Sequence, residues 1–204
     1  MGPSEFGPAE TNALRAAAKR ALRQRMRSLR RVMPDTACAV RSRAICERVL
    51  ELPEFAQASC IVGYASYKKE ADPASIMGIA EQAGKTLGLV RIEPDFGLSV
   101  HRYRSGDALI ENEFGIAEPA ADAPRIAFED IGMIIVPALA VDARGQRIGY
   151  GRGYYDRLLP KLPHAFKIAV AYDFQLLVET PDTPHDVPVD CVVTDQRVLR
   201  VERP

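Results

Sequence analysis

The feature that most constrains the fold is a series of short apolar segments separated by helical or irregular stretches. Four of them span residues 60–64, 133–136, 167–172 and 191–194. Short, uninterrupted apolar runs of this kind are typical of strands buried on both faces of a sheet. Because helical segments are predicted between them, the pattern indicates an α/β fold with a largely parallel sheet.

The N-terminal helix, predicted over residues 12–31, carries two stripes. It contains no Pro, Gly or acidic residue and has eight Lys or Arg residues. Four of these recur at every fourth position, so they share one face and can converge on a phosphate. A solvated helix face and an organelle-targeting peptide are the simpler alternatives. The basic stripe is Arg15, Lys19, Arg23 and Arg27, and the apolar stripe beside it is Leu14, Ala18, Leu22, Met26, Leu29 and Met33.

Capping residues and Pro or Gly positions mark the other elements. A second helix is predicted after Asp35 and ends near residue 52. A third begins at Asp72-Pro73, with Asp as its N-cap, and stops near Gly84. A fourth helix is predicted over residues 154–162, and further strands over residues 85–92 and 98–103. We expect residues 1–11 to form a disordered arm and residues 12–204 to form a single α/β catalytic domain.

Composition excludes several classes of protein. The chain has 27 Lys or Arg and 27 Asp or Glu residues, which argues against a surface built entirely for nucleic acid. Four cysteines form no CxxC pair and show no zinc spacing with the three histidines, which favours reduced thiols in a cytosolic protein. No run of 18 apolar residues is present, so no membrane span is expected.

The densest motif is RIGYGRGYYD at residues 147–156. Its glycines stand at alternate positions, Gly149, Gly151 and Gly153. Glycine lets a ligand approach the backbone closely and lets successive N–H groups turn toward an anion. The loop follows a buried strand and opens a predicted helix, whose N-terminus adds positive potential. The spacing therefore predicts an anion-binding loop.

The side chains of this loop also favour a ligand site. Arg147 and Arg152 supply positive charge, and Tyr154 and Tyr155 can stack on a planar ring or donate hydrogen bonds. Asp156 can reach a divalent cation that is held by phosphates. A purely structural glycine turn would not require these side chains.

Two better-known nucleotide motifs fit less well. The GKT at residues 84–86 has the ending of a P-loop, but Gly78 is one residue too far upstream and the helix-to-strand order is wrong. The loop glycines lack dinucleotide spacing, although Asp173 lies 20 residues beyond Gly153, as a ribose-binding acid would. A nicotinamide-dependent oxidoreductase and a nucleic-acid-binding module that uses the basic helix remain alternatives.

Isolated carboxylates are less informative. Glu70 is predicted at a strand-to-helix junction, where α/β sheets bind ligands. Read alone, Glu70 is better explained as a solvated loop residue. Asp186 follows His185 in a Pro-rich turn, where turn capping is the default role.

The segment IIVPALAVDARGQRIGYGRGYYDRLL, residues 134–159, resembles the signature of the 5-formyltetrahydrofolate cyclo-ligase family. Other elements of that family occur in the same order, from about residue 19 to residue 195, which is nearly the whole chain. They are KRALR at residues 19–23, EAD at 70–72, FGIAEP at 114–119, Gln175, His185-Asp186, and Asp190 with the strand to Thr194.

The resemblance implies a fold and a reaction. The fold is a three-layer, Rossmann-like α/β sheet similar to that of sugar-phosphate isomerases and CoA transferases. In the reaction, which depends on ATP and Mg²⁺, ATP phosphorylates the formyl oxygen of 5-formyltetrahydrofolate. Nitrogen-10 then attacks the activated carbon, phosphate departs and 5,10-methenyltetrahydrofolate remains. Phosphoryl transfer requires positioning and charge neutralisation, which suits a site without a nucleophilic Ser or Cys.

The resemblance also implies roles at the nucleotide. Lys19 and Arg23 would hold the ATP phosphates. Arg147 would face the transferred phosphoryl group and act as a catalytic residue together with Tyr154. The loop residues that would wrap the nucleotide are Gly149, Tyr150, Gly151, Arg152, Gly153, Tyr154 and Tyr155.

The remaining implied roles concern the metal, the folate and the partners. Asp156 and Asp186 would bind Mg²⁺, directly or through water. Glu70 would hydrogen-bond the pterin, and Tyr154 would contact the substrate. The partners expected are small molecules, with no nucleic acid and no membrane, and the chain is taken as a cytosolic monomer.

The chain departs from the family pattern at three positions near the expected folate pocket. Val141 stands where the family usually has Phe, Pro73 where it has Thr, and Val90 where it has Pro. We expect these changes to affect the fine substrate preference more than the ATP site.

Overall fold

The computed structural model describes residues 7–95 and 97–202. It confirms the predicted α/β organisation, with helices and strands alternating along the chain. The helices are α1 (Pro8–Val32), α2 (Asp35–Leu50), α3 (Pro53–Gln57), α4 (Ala74–Gln82) and α5 (Tyr154–Leu158). The strands are β1 (Cys60–Gly63), β2 (Thr86–Ile92), β3 (Leu98–Tyr103), β4 (Ile110–Glu111), β5 (Ala117–Glu118), β6 (Met133–Pro137), β7 (Ala140–Asp142), β8 (Arg147–Ile148), β9 (Phe166–Val170), β10 (Leu176–Leu177), β11 (Cys191–Val193) and β12 (Val198–Arg200).

The central sheet has the strand order β12-β11-β9-β6-β1-β2-β3. Its inner strands run parallel, and antiparallel β3 and β12 form the two edges. The chain first builds β2 and β3 on one side of β1 and then places β6, β9 and β11 on the other side. In open α/β sheets, ligands bind at the carboxyl ends of the strands where the order reverses in this way. The topology therefore directs attention to the ends of β1 and β6.

Both faces of this sheet are buried, which explains the continuous apolar strands. In β6, Met133 and Ile135 pack into the core shared with α2 and α4. Ile134 and Val136 alternate with them and face the opposite core, which contains Leu158 of α5. Burial of one such side chain contributes about 1.5–3 kcal/mol. This double burial holds the sheet, and so the ends of β1 and β6, in a fixed position.

Helix α1 begins earlier than predicted. It starts at Pro8 rather than at residue 12, so the described end of the predicted disordered arm is helical, and residues 1–6 of that arm lie outside the described residues. Proline at the first helical position already has the φ value that a helix needs. The Glu10 carboxylate also accepts a hydrogen bond from the Gly7 N–H at 3.0 Å. These two features set the start of the helix.

The predicted apolar stripe of α1 is wrong in part. Leu14 is 54% exposed and Leu29 is 42% exposed, whereas Arg30 is only 1% exposed. The helix packs through Met26 against Leu139 of the β6–β7 connection, and this contact turns basic residues inward beside apolar ones. The residues on the covered side of α1 are Lys19, Leu22, Arg23, Met26, Arg30 and Met33.

The other predicted boundaries differ only locally. Helix α5 ends at Leu158 and continues as a 3₁₀ turn over Leu159–Lys161, because Pro160 lacks the N–H that an α-helix requires. The predicted N-cap of α4 is wrong by one residue, because α4 begins at Ala74 and its N-cap is Pro73. Asp72 lies just before this cap, and its Oδ1 accepts the Ala74 N–H at 3.1 Å. The four cysteines are free thiols. In the part of the chain that the structure describes, every helix is too short or too polar to span a bilayer.

Candidate active site

A cavity of about 1040 Å³ opens at the carboxyl ends of β1 and β6. Its walls come from α1, the loop after β1, the ends of β2 and β3, the glycine-rich loop and the turn around Asp186. All thirteen residues predicted for the site line this cavity. They are Lys19, Arg23, Glu70, Arg147, Gly149, Tyr150, Gly151, Arg152, Gly153, Tyr154, Tyr155, Asp156 and Asp186.

The basic helix and the glycine-rich loop are in direct contact. Arg23 Nε donates a hydrogen bond to the Gly149 carbonyl at 2.9 Å. Gly151 has a φ of +100°, and a Cβ at this position would lie 3.1 Å from the Arg23 guanidinium carbon. Glycine is therefore required here both for the backbone conformation and for the approach of α1. The contact joins two motifs that are 126 residues apart in sequence.

Two ion pairs lie side by side in the cavity, and we call this region the ion-pair end. Lys19 Nζ donates to Asp186 Oδ2 at 2.5 Å, and Arg147 Nη1 donates to Asp156 Oδ1 at 2.9 Å. The Thr183 N–H and hydroxyl donate to the same Asp186 oxygen at 2.6 and 3.0 Å. The cations predicted for phosphate and the carboxylates predicted for Mg²⁺ are thus paired with each other.

The environment favours the charged form of Asp186. Partial burial acts to raise the pKa of Asp186, but hydrogen bonds from Lys19 and Thr183 outweigh it and hold the pKa below its usual value. Burial lowers the pKa of the Arg147 guanidinium, and the Asp156 carboxylate opposes this effect. Arg147 Nη2 is buried and has no hydrogen-bond partner among the described residues. Arg147 therefore keeps one donor free for a ligand.

Glu70 lies in a different environment, which we call the Glu70 end and which includes Tyr67 and Tyr150. Burial raises the pKa of the Glu70 carboxyl to about 6, against the opposing effect of the Arg30 guanidinium. Glu70 Oε2 accepts the Tyr67 N–H at 3.0 Å. Glu70 Oε1 and the Tyr154 hydroxyl are both buried without a hydrogen-bond partner in the described chain. Both residues line the cavity, so an acceptor and a hydroxyl are available to a ligand bound in it.

An apolar surface completes the cavity. Val90 and Ile92 at the end of β2, Leu98 at the start of β3, and Ile116 all line it. Arg152 lies over the Phe114 ring at 4.1 Å, within cation–π distance. A cavity with an apolar wall and a few convergent polar groups is the usual form of a small-molecule site.

The carboxylates of the ion-pair end fit a magnesium ion. Asp156 and Asp186 offer oxygen ligands, and the Val187 N–H lies 3.5 Å from Asp156 Oδ1, so the two acids belong to one neighbourhood. The described residues contain no group of three or more His, Cys, Asp or Glu that would enclose an ion. Mg²⁺ in phosphate-binding sites is commonly held by one or two carboxylates together with phosphate oxygens.

Several residues that sequence reasoning singled out have structural partners instead. Asp173, the candidate ribose-binding acid, is bound by Arg197 at 2.9 and 3.0 Å and does not line the cavity. Gln175 donates to the backbone carbonyls of Ala138 and Leu139. Asp190 Oδ2 accepts the Lys167 N–H at 2.8 Å. These contacts hold the sheet connections together.

Other residues of the site were missed. Arg30 lies in the basic helix but not on the four-residue repeat of the predicted stripe, so periodicity did not select it. Tyr67 contributes its N–H to Glu70 and its hydroxyl to the Phe114 carbonyl at 3.0 Å. Its place three residues before Glu70 is the only sequence signal for this role.

The fold and the cavity define an α/β protein with a basic, glycine-rich binding cleft at the reversal point of a parallel sheet. The family model described as the 5-formyltetrahydrofolate cyclo-ligase family matches residues 15–195. The chain therefore belongs to the 5-formyltetrahydrofolate cyclo-ligase family, as the motifs predicted.

Similar proteins carry the same description. The chain is 29% identical over 156 residues to the 5-formyltetrahydrofolate cyclo-ligase of Escherichia coli K12, covering 74% of this chain and 86% of that protein. It is 45% identical over 100 residues to the corresponding enzyme of Mycolicibacterium smegmatis, covering 47% and 50%. The NMR structure of Aquifex aeolicus 5,10-methenyltetrahydrofolate synthetase superposes with a TM-score of 0.80 at 32% identity, covering 91% of this chain and 94% of that one.

Proposed function

We propose that this protein is an ATP- and Mg²⁺-dependent cyclo-ligase that converts 5-formyltetrahydrofolate into 5,10-methenyltetrahydrofolate. The observation that carries the proposal is the convergence of all thirteen predicted residues on one cavity. The γ-phosphoryl group passes from ATP to the formyl oxygen, which gives ADP and a good leaving group. Nitrogen-10 attacks the formyl carbon and loses its proton, and inorganic phosphate departs.

The ion-pair end has the chemistry needed for the triphosphate. Lys19 and Arg147 each neutralise a carboxylate, and both are suited to exchange that partner for a phosphate oxygen. Arg23, held against the glycine-rich loop, adds a third cation. The free Nη2 of Arg147 would donate to the phosphoryl group as charge develops on it, which is how preorganised donors lower a barrier.

When bound, Mg²⁺ would neutralise part of the negative charge of the phosphates. Asp156 and Asp186 are the residues that would hold it. Their present partners, Arg147 and Lys19, are the same cations that would move to the phosphates. Without substrate, the two cations and the two carboxylates neutralise each other. With substrate bound, the cations would be paired with phosphates and the carboxylates with Mg²⁺.

The Glu70 end suits the pterin. A pterin presents ring N–H and amino donors, and Glu70 Oε1 is a buried acceptor without a hydrogen-bond partner in the described chain. The apolar wall that includes Val90, Ile92 and Leu98 would contact the ring faces. The Tyr154 hydroxyl, also without such a partner, would donate to the substrate near the reacting formyl group. The free donors of Arg147 and Tyr154 support the catalytic roles proposed for them.

The two alternative functions lose support. An oxidoreductase would need an acid on the ribose, but Asp173 is held by Arg197 and Thr194 outside the cavity. A nucleic-acid module would need the basic stripe on an open surface, but Lys19 and Arg23 face the cavity. A cytosolic location also remains a prediction. A single catalytic domain over residues 12–204, the monomeric state and the likeness to sugar-phosphate isomerases and CoA transferases remain predictions.

The test is a spectroscopic assay of the purified chain. Protein is mixed with 5-formyltetrahydrofolate and Mg-ATP, and the absorbance of the methenyl product is followed. We expect product only when ATP is present, with one ADP formed for each methenyl group. Folded protein that gives no ATP-dependent absorbance would refute the proposal. Binding of a nicotinamide cofactor without binding of ATP would favour the oxidoreductase instead.

A further inference from the structure

Arg30 is the most deeply buried cation described in the chain, at 1% exposure. It lies near the end of α1, eleven residues after Lys19, which corresponds to about 16 Å along a helix axis. It is not among the residues that line the cavity. Arg30 therefore reaches the site only through its neighbours.

Those neighbours are the three residues of the Glu70 end. Arg30 Nη1 lies 3.6 Å from Glu70 Oε1, and Nη2 donates a hydrogen bond to the Tyr150 hydroxyl. Nη2 also lies 3.5 Å from the Tyr67 carbonyl oxygen. All three partners line the cavity. One guanidinium thus connects the loop after β1 with the glycine-rich loop.

A buried guanidinium is costly unless its surroundings use it. Nε and Nη1 have no hydrogen-bond partner among the described residues, and unpaired buried donors destabilise a fold. At 3.6 Å the contact with Glu70 is electrostatic rather than a full hydrogen bond. A fold selected only for stability would favour an apolar side chain here. The arrangement points to a functional reason for the charge.

We propose that Arg30 is a positioning residue that holds the Glu70 carboxylate ionised and fixes it, together with the Tyr150 hydroxyl, against the folate. This inference rests on the proposed function and extends it to a residue behind the cavity wall. Position 30 requires the planar guanidinium of arginine, because this group contacts a carboxylate and a hydroxyl at the same time. A lysine would keep the charge but not both contacts.

The groups that face Glu70 make the proposal testable by pH. They are Arg30 from α1, Tyr64 after β1, Tyr150 from the glycine-rich loop and Tyr155 from α5. Burial raises the pKa of each of these tyrosines above its usual value, so they stay neutral through the assay range. Arg30 is then the only permanent charge among these groups. Its removal would allow Glu70 to take up a proton at higher pH.

The experiment compares R30M with R30K and with R31M, a control at the neighbouring exposed position. Steady-state constants for 5-formyltetrahydrofolate and for ATP are measured across pH. In R30M we expect kcat/KM for the folate to fall on the order of tenfold or more, and its acid limb to move to higher pH. The KM for ATP should stay close to wild type. R30K should keep the acid limb at its wild-type pH but show a smaller fall in kcat/KM for the folate than R30M. R31M should match wild type in both.

A double variant separates positioning from general damage. If Arg30 acts through Glu70, R30M should add little to the loss caused by E70Q, because the two residues act as one unit. Additive losses would overturn the proposal. The proposal would also be overturned if R30M had the same kcat/KM for the folate and the same acid limb as wild type. A variant in which only the constants for ATP changed would overturn it as well.

Folding and the proposed function are controlled separately. If R30M does not fold, R30K decides, because an unchanged folate constant in R30K would contradict the need for the guanidinium fork. Wild-type protein that forms no methenyl product would refute the proposed function and this inference with it. An active wild type with unaffected Arg30 variants would refute this inference alone.

Discussion

The two ends of the cavity treat charge in opposite ways. At the ion-pair end, two cations face two carboxylates at 2.5 and 2.9 Å. At the Glu70 end, a single buried carboxylate and a single buried guanidinium lie 3.6 Å apart. Close pairs can exchange partners with a charged ligand without leaving any charge unpaired. An isolated buried pair fixes an orientation instead, because removing either group would leave the other charge buried without a partner.

Helix α1 supplies a cation to each end. Lys19 lies at the ion-pair end and Arg30 at the Glu70 end. Between them in the helix, Arg23 contacts the glycine-rich loop. A single rigid element therefore sets the spacing between the sites proposed for phosphate and for pterin. If this comparison is correct, variants at the two ends will affect different kinetic constants.

The largest effect is expected for R147A at the ion-pair end. Loss of a preorganised donor to the phosphoryl group should lower kcat on the order of a hundredfold to a thousandfold. The KM for the folate should change little. The methenyl assay and circular dichroism measure activity and fold, and R43A, at an exposed position of α2, is the matched control. Turnover of R147A at the wild-type level would refute the assigned role.

K19M should have the next largest effect. Removing a cation that would hold a phosphate should lower kcat/KM for ATP roughly tenfold to a hundredfold, and leaves Asp186 without its closest partner. R20M changes the neighbouring exposed residue and should behave as wild type. Equal losses in the two variants would mean that the helix acts through its overall charge and not through Lys19.

The Glu70 end should give a smaller, pH-dependent effect. Burial holds the pKa of Glu70 at about 6, so the carboxyl is ionised above this pH and takes up a proton as the pH falls through it. One pH unit below this pKa, we expect kcat/KM for the folate to be about tenfold below its high-pH plateau. E70Q should lose this acid limb. An acid limb that survives in E70Q would assign the titration to another group.

The smallest effect is expected for G151A. A side chain at φ +100° is strained and would press on Arg23, at a cost of about 1–2 kcal/mol. If only about 1 kcal/mol of this cost acts on nucleotide binding, the KM for ATP should rise roughly fivefold, since 1.4 kcal/mol corresponds to a factor of ten. G78A is the control, because a Cβ there meets nothing within 4 Å. An ATP KM unchanged by G151A would mean that the loop shifts without affecting the nucleotide.

Much of the fold could be predicted from the sequence. The buried strands are continuous apolar runs, and Asp72 and Gly84 mark the ends of a helix by their own chemistry. The orientation of α1 could not be predicted in this way. Periodicity shows which residues share a face, but not which face packs, and the choice between Leu29 and Arg30 depends on partners supplied by distant segments.

In the candidate site too, local features could be predicted from the sequence, and contacts between distant segments could not. The glycine-rich loop is local, so its residues were predictable as a unit. The ion pairs are not local: Lys19 and Asp186 are 167 residues apart, and only the folded sheet brings them together. Arg30 was missed for this reason, because its function depends on Glu70 and Tyr150 and on burial that the helix alone does not specify. Pro160 is a sequence signal for the early end of α5 at Leu158. The prediction over residues 154–162 gave more weight to the helical pattern around it.

The central claim is that the formyl oxygen of the folate accepts the phosphoryl group of ATP in this cavity. The most direct measurement uses 5-formyltetrahydrofolate labelled with ¹⁸O in the formyl group and determines the mass of the inorganic phosphate released in a single turnover. We predict that each phosphate carries the label, because the formyl oxygen leaves as part of it. Methenyl product accompanied by unlabelled phosphate would contradict the account.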